Sequence, residues 1–278
     1  MGINASAIRV FLLESQRKKF GEKLLTLGKQ DVFVNLEELA TIFDDYGKVL
    51  KNQPGVPVLS TKPGFAAGRL ITDEYLFSAL GFTDRRSLDA SEYESADYIF
   101  DLNKPETPEK LSDSWDVIFD GGTIEHVFNV PNALANICRM LKVGGRIIHI
   151  APSSNHIDHG FYMFSPTLFW DYYHANNYEV NVCQVFRYHS LDDIYGGWAV
   201  SDYVPGGLTR VSLGGLDDGI YGVILIATKK EDSTFDKVPQ QGLYADVKWR
   251  GNEPNQALLG VEENFSGRGL GLKIKYRL

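Results

Sequence analysis

The chain has 278 residues, 44% of them hydrophobic, enough to fill the core of one large α/β domain. Its formal net charge is −8 with no basic stripe, which argues against an electrostatic grip on nucleic acid. No segment reaches the roughly 18 apolar residues of a membrane span, and the apolar run Val10 to Leu13 is too short for a signal peptide, so a cytoplasmic soluble protein is the default expectation.

In chain order, Ala5 to Lys19 is predicted helical, with Phe11, Leu12 and Phe20 as anchors. Lys23 to Leu27 is a short apolar strand that turns at Gly28. Asn35 is placed to cap a helix running to Tyr46, and Thr72 one running to Leu80 with Asp73 and Glu74 in its first turn. Between them, Gly47 to Gly68 carries Pro54, Pro57 and Pro63 and reads as a surface insertion. Arg85 to Asp89 and Tyr98 to Asp101 are further strands, each ending in an acid.

Trp115 to Pro152 is the organising stretch. A buried strand ends at Asp120 and breaks at Gly121-Gly122-Thr123. A helix starts near Asn129, tolerates Pro131 in its first turn, and is expected to stop at Gly144-Gly145. Arg146 to Ala151 is a second apolar strand, so the unit reads as a right-handed parallel crossover. Beyond it lie an acid-base-rich loop, Ser153 to Gly160, and a helix start at Ser165-Pro166 followed by aromatic residues. Tyr178 to Arg187 and Gly219 to Lys229 are strands. The long connection between them, His189 to Asp218, holds Tyr195, Trp198 and Tyr203 and suggests a substrate cover. Cys138 and Cys183 sit in apolar surroundings and read as free buried thiols.

The wording of the central stretch resembles class I S-adenosylmethionine-dependent methyltransferases. The segments are Trp115-Asp116-Val117-Ile118, then Ile124-Glu125-His126, then Leu141-Lys142-Val143-Gly144-Gly145, in the family's order and spacing. The family's first strand is usually followed by a glycine-rich G-x-G-x-G turn. This chain has Gly28-Lys29-Gln30, which looks like the variant with a one-glycine first motif. The resemblance implies a Rossmann-like doubly wound α/β sheet, mostly parallel, with a C-terminal antiparallel hairpin and strand order 3-2-1-4-5-7-6. The domain is expected over about residues 1–230, with insertions at about 33–71 and 189–218, followed by a C-terminal extension over 231–278.

S-adenosyl-L-methionine is the cofactor the resemblance implies. Gly28 and Gln30 fall at its first turn, and Asp120, Gly121 and Gly122 at its methionine end, where glycines let backbone come close. Asp89 would accept from two ribose hydroxyls, since ligands bind beyond the carboxyl ends of parallel strands. Asp101 and Leu102 would border the adenine. His159 is the first candidate for a catalytic base or substrate ligand and His126 the second, because imidazole is the usual general base near neutral pH. The spacing His156-x-Asp158-His159 also invites a metal, but no third histidine or cysteine pair is obviously placed nearby, and no metal is expected.

The expected activity is methyl transfer to a small-molecule acceptor, a sugar or secondary metabolite, at a hydroxyl or an amine, with neither nucleic acid nor membrane as partner. The extension is expected to pack on the domain or to contact a second subunit, as in a homodimer. Two rivals remain: a non-catalytic protein of the same fold serving as a binding or assembly partner, and a nicotinamide-dependent Rossmann enzyme. The second lacks the G-x-G-x-x-G turn that a pyrophosphate needs.

Overall fold

A computed structural model describes residues 2–189, 197–208, 211, 214–242 and 275–278. Asn4 caps the first helix, α1 (Ala5–Arg17), by accepting the Ala7 amide at 2.9 Å. Ile8, Phe11 and Leu12 bury one face of that helix. The first strand, β1 (Lys23–Leu27), leads through an insertion holding α2 (Leu36–Asp45), whose Asn35 and Glu38 form a reciprocal capping box. Isolated bridges Asn35–Leu70 and Leu59–Ile71 close the insertion upon itself. Next come α3 (Asp73–Ala79), capped by Thr72, and the strands β2 (Asp84–Asp89), β3 (Tyr98–Ile99) and β4 (Trp115–Asp120).

A 3₁₀ turn at Ile124–His126 precedes α4 (Val130–Met140) and β5 (Leu141–Pro152). The chain closes with α5 (Pro166–Ala175), β6 (Glu179–Tyr188), β7 (Ala199–Asp202), β8 (Ile220–Thr228) and β9 (Tyr276–Arg277).

The strands form one sheet in the order β3-β2-β1-β4-β5-β8-β6-β7-β9. β1 to β5 run parallel, while β8 is antiparallel to both β5 and β6. Counting only the strands expected from sequence, this is the order 3-2-1-4-5-7-6 of a Rossmann-like α/β fold. One apolar cluster fills the face under α1 to α3, and a second fills the face under α4 and α5. Arg146, 2% exposed, ties α1 to the start of the apolar part of β5: it donates to Glu14 Oε1 at 2.5 Å and to the carbonyls of Lys18 and Lys19 at 2.8 Å. No helix among the described residues is long and apolar enough to cross a membrane.

One expectation needs correction. The Leu141-to-Gly145 segment does not end α4, which stops at Met140. It begins β5, and a register shift opposite Trp115 and Val117 accommodates the glycines. A Cβ on Gly145 would lie 2.9 Å from the Trp115 carbonyl, so the glycine serves a close strand-to-strand approach rather than a helix cap. The connection between β6 and β8 contributes β7, which extends the sheet beside β6. Trp198 and Tyr203 are buried there, with Trp198 stacked on Phe186 at 3.9 Å, while Tyr195 lies outside the described residues. The described end of the C-terminal extension packs on the domain, as one of the two expectations had it: β9 pairs with β7, and Leu278 is buried.

Candidate functional site

Parallel strands direct their carboxyl ends to one edge of the sheet, and the order reverses between β1 and β4, which opens a crevice there. The turns after these two strands are tied together. Gly28 has a φ of 73°, a left-handed conformation that favours glycine, and the Thr123 hydroxyl donates to the Leu27 carbonyl at 2.6 Å. Gln30, 6% exposed, donates its amide to the Leu27 carbonyl at 3.0 Å, and its Oε1 has no partner among the described residues. A Cβ on Gly121 would lie 2.7 Å from that oxygen and from the Phe119 ring. Gln30 therefore fills the first turn and presses its amide against Gly121, which only glycine permits. Gly122 follows with a φ of 90°.

Asp120 is fully buried. Its Oδ1 accepts the Thr123 and Ile124 amides at 3.0 and 3.3 Å, and its Oδ2 meets His149 Nδ1 at 2.7 Å. The other ring nitrogen of His149 meets the Tyr173 hydroxyl at 2.7 Å. The carboxylate expected at the cofactor's methionine end is thus committed to shaping the loop and pairing with β5. His149 and Tyr173 were not singled out in the sequence. The parallel register that sets His149 opposite Asp120 is the signal that could have found them.

At the next strand ends, Asp89 Oδ1 accepts the Ser91 amide and hydroxyl at 2.9 and 3.3 Å, which leaves Oδ2 for a ligand. Asp101 caps Asn103, accepting its amide at 2.9 Å and its side chain at 2.8 Å, and these bonds hold its carboxyl below the ordinary range. Leu102 is 4% exposed, and its carbonyl accepts from Asn136 of α4. A cleft of about 690 Å³, lined by Lys29, Gln30, Asp31, Asp73, Tyr93 and Glu94 among others, opens beside the first turn and is large enough for a nucleoside-sized ligand.

A second, apolar cavity of about 220 Å³ lies beyond β4 and β5. Phe33, Gly121, His159, Tyr188 and Trp198 share its wall with His156. Three buried polar atoms of these residues, His156 Nε2, His159 Nε2 and Trp198 Nε1, have no hydrogen-bond partner among the described residues. Part of the wall is set from behind: a Cβ on Gly222 of β8 would overlap the Phe186 ring, which stacks on Trp198.

His126 stands next to the cavity rather than in its wall. Its ring lies 5.3 Å from that of His159, and its Nε2 is 3.9 Å from Glu125 Oε1. Glu125 is fully buried, and burial together with the charge of Asp120 pushes its carboxyl up to about 8. Burial holds the rings of His126, His156 and His159 below the ordinary imidazole range. The structure thus brings His159, His126 and Gly121 to one place, with Gln30 and Gly28 beside them. Asp89 stands at the end of β2, and Asp101 lies two residues past the end of β3.

No known protein family and no curated protein matches the chain. Among solved structures it is similar to TehB from Haemophilus influenzae, at 17% identity over 57% of this chain and 53% of that one, with a TM-score of 0.36. The match therefore spans about half of TehB. It is similar to a SAM-dependent methyltransferase from Archaeoglobus fulgidus at 11% identity over 81% and 94% of the two chains, with a TM-score of 0.41. A third is the 1,6-didemethyltoxoflavin-N1-methyltransferase of Burkholderia thailandensis, solved with 1,6-didemethyltoxoflavin and S-adenosylhomocysteine. There the identity is 13% over 82% and 80% of the chains, and the TM-score is 0.39.

Proposed function

We propose that this protein is an S-adenosylmethionine-dependent methyltransferase acting on a small-molecule acceptor. The observation that carries the reading is the shared wall of the apolar cavity. Gly121, at the carboxyl end of β4, faces the same space as His156, His159 and Trp198, whose buried polar atoms lack partners. An apolar pocket with a few convergent polar groups, set where strand order reverses, is the expected form of a small-molecule site.

The residues suit the cofactor at specific atoms. Gly28, with its left-handed φ, lets backbone come close to a bound methionine moiety, and Gly121, whose side-chain space is taken by Gln30 and Phe119, would line that moiety through its backbone. Gln30 Oε1 is a buried acceptor without a partner, suited to the cofactor's amino group. Asp89 Oδ2 would accept from the ribose, and Asp101 and Leu102 would border the adenine. When bound, S-adenosylmethionine supplies a methyl group on a positively charged sulfur that is already a good leaving group. The chain's own task is then to align the acceptor and exclude water. The apolar wall of Phe33, Tyr188 and Trp198 excludes water. His159 Nε2 receives the proton of a hydroxyl acceptor as the methyl–oxygen bond forms, with His126 the second candidate.

Calorimetric titration with S-adenosylhomocysteine tests this reading. Micromolar binding is expected, weakened at least 10-fold in Asp89→Ala, which removes one charge-assisted hydrogen-bond partner (about 1.5–3 kcal/mol). Absence of binding to the parent protein would replace the reading with a non-catalytic one.

A further inference from the structure

The 3₁₀ turn Ile124–His126 and the loop after β5 meet face to face. The amides of Phe161 and Tyr162 donate to the Glu125 carbonyl at 2.8 and 3.2 Å, which clamps the loop onto the turn. A Cβ on Gly160 would lie 2.9 Å from the same carbonyl, so glycine at that position permits the contact. Backbone therefore fixes the meeting of Glu125, His126 and His159, and their donor atoms all lie within 4.8 Å of one another. Glu125 Oε1 is 3.5 Å from His159 Nε2 and 3.9 Å from His126 Nε2.

Both oxygens of the fully buried Glu125 lack a hydrogen-bond partner among the described residues, and so does His159 Nε2. Unpaired polar atoms of this kind are costly to bury, by several kcal/mol for a carboxylate. A cation satisfies a carboxylate oxygen and two imidazole lone pairs together.

We propose that Glu125, His126 and His159 bind one divalent transition-metal ion. Two imidazoles with one carboxylate form a donor set for zinc, cobalt, iron(II) or manganese rather than for calcium or magnesium, which prefer oxygen ligands. Metal–donor bonds of about 2.0–2.2 Å place tetrahedral ligands about 3.3 Å apart. The Glu125–His159 pair is already near that value. Closing the site requires mainly the His126 ring to swing inward, and its side chain is 49% exposed and has room to do so. The same exposed side is the entry path, and it leaves coordination positions open. The sequence spacing His156-x-Asp158-His159 is not this set, because Asp158 does not belong to the cluster.

One consequence rests on the methyl-transfer reading: since His159 also lines the apolar cavity, the ion would stand at the cavity rim, where it would bind an acceptor oxygen and ease loss of its proton to solvent, taking the place of His159 and His126 as the base because their Nε2 lone pairs are then bound to the ion. That makes the acceptor a hydroxyl rather than an amine. Ion binding itself does not depend on that reading.

The test titrates tag-free, chelator-treated protein with Co²⁺, followed by visible absorption, and with Zn²⁺ by calorimetry. The expected result is one ion per chain at micromolar affinity or tighter, weakened at least 10-fold in Glu125→Gln and in His159→Ala. His174→Ala, at the exposed end of α5, leaves the affinity unchanged. Circular dichroism confirms that each variant is folded; if His159→Ala is not, the near-isosteric Glu125→Gln and the exposed-site His126→Ala carry the comparison. Absence of binding, or binding that these ligand variants leave intact, overturns the site. S-adenosylhomocysteine titrations of the same samples separate the two readings. Co²⁺ binding without S-adenosylhomocysteine binding keeps the ion site and removes methyl transfer, and the reverse removes the ion site.

Discussion

Replacing His149 by phenylalanine tests how the buried Asp120–His149–Tyr173 chain supports the site. The new ring retains the stack on Phe169, now 4.7 Å between centroids, so little packing is lost. What disappears is the 2.7 Å bond to Asp120 Oδ2 and the 2.7 Å bond to the Tyr173 hydroxyl, both between fully buried groups. Asp120 Oδ1 keeps its two loop amides, so only half of the carboxylate is stranded. A buried carboxylate oxygen without its partner costs about 3 kcal/mol, and an orphaned hydroxyl adds about 1 kcal/mol. The expected loss is therefore about 4 kcal/mol, equivalent to a fall in melting temperature of roughly 10 °C for a chain of this size. Urea unfolding followed by circular dichroism and tryptophan fluorescence measures it. The double variant with Asp120→Asn should show a coupling of about 2 kcal/mol between the two positions. A loss below about 1 kcal/mol, or simple additivity, would refute the view that this chain carries structural load.

Acid stability has a traceable source at Asp97. Burial works against its charge, but the Ser87 amide and hydroxyl and the Arg86 guanidinium together outweigh that and hold the carboxyl below its usual range. Its stabilising share is complete above the unfolded carboxylate pKa of about 4 and is lost as pH falls through the lower folded value. Asp97→Asn should flatten the acid limb of stability measured by urea melts, and an unchanged limb would contradict this. Burial pushes the Cys138 thiol up to about 11 and the Cys183 thiol up to about 12. Both should resist an aromatic disulfide reagent at mildly alkaline pH until urea unfolds the protein, and rapid labelling of the native state would show that they are accessible.

Strands that are buried on both faces write themselves as unbroken apolar runs, which is why β4, β5 and β8 were legible in the sequence. Caps were legible for a related reason: Asn35, Thr72 and Ser165 each satisfy an amide within three residues, a local event. The glycines Gly144 and Gly145 misled because a helix stop and a strand bulge ask for the same residue, and the choice depends on Trp115, about 30 positions away in sequence. The β7 and β9 strands escaped for want of length. Gly121 and His159, marked in the sequence by a strand end and by an acid-base-rich loop, both line the apolar cavity. The cavity was not, because Phe33, His159, Tyr188 and Trp198 meet only once the sheet is assembled. The buried state of Glu125 was hidden for the same reason, since a glutamate beside a histidine reads as surface until the loop carrying Gly160 closes over it.

Gly222 sits in the most apolar strand and is not part of the lining of the apolar cavity, yet the space it leaves is occupied by Phe186, and Phe186 supports Trp198. The dimensions of the chamber are therefore governed from the outer side of its wall. Enlarging that one residue would drive the aromatic pair inward and contract the chamber, while every group facing its interior kept its chemical identity. The size of the chamber and the chemistry of its polar groups are thus set at different places in this fold: the first at a residue of β8 outside the lining, and the second at the turns where β4 and β5 end.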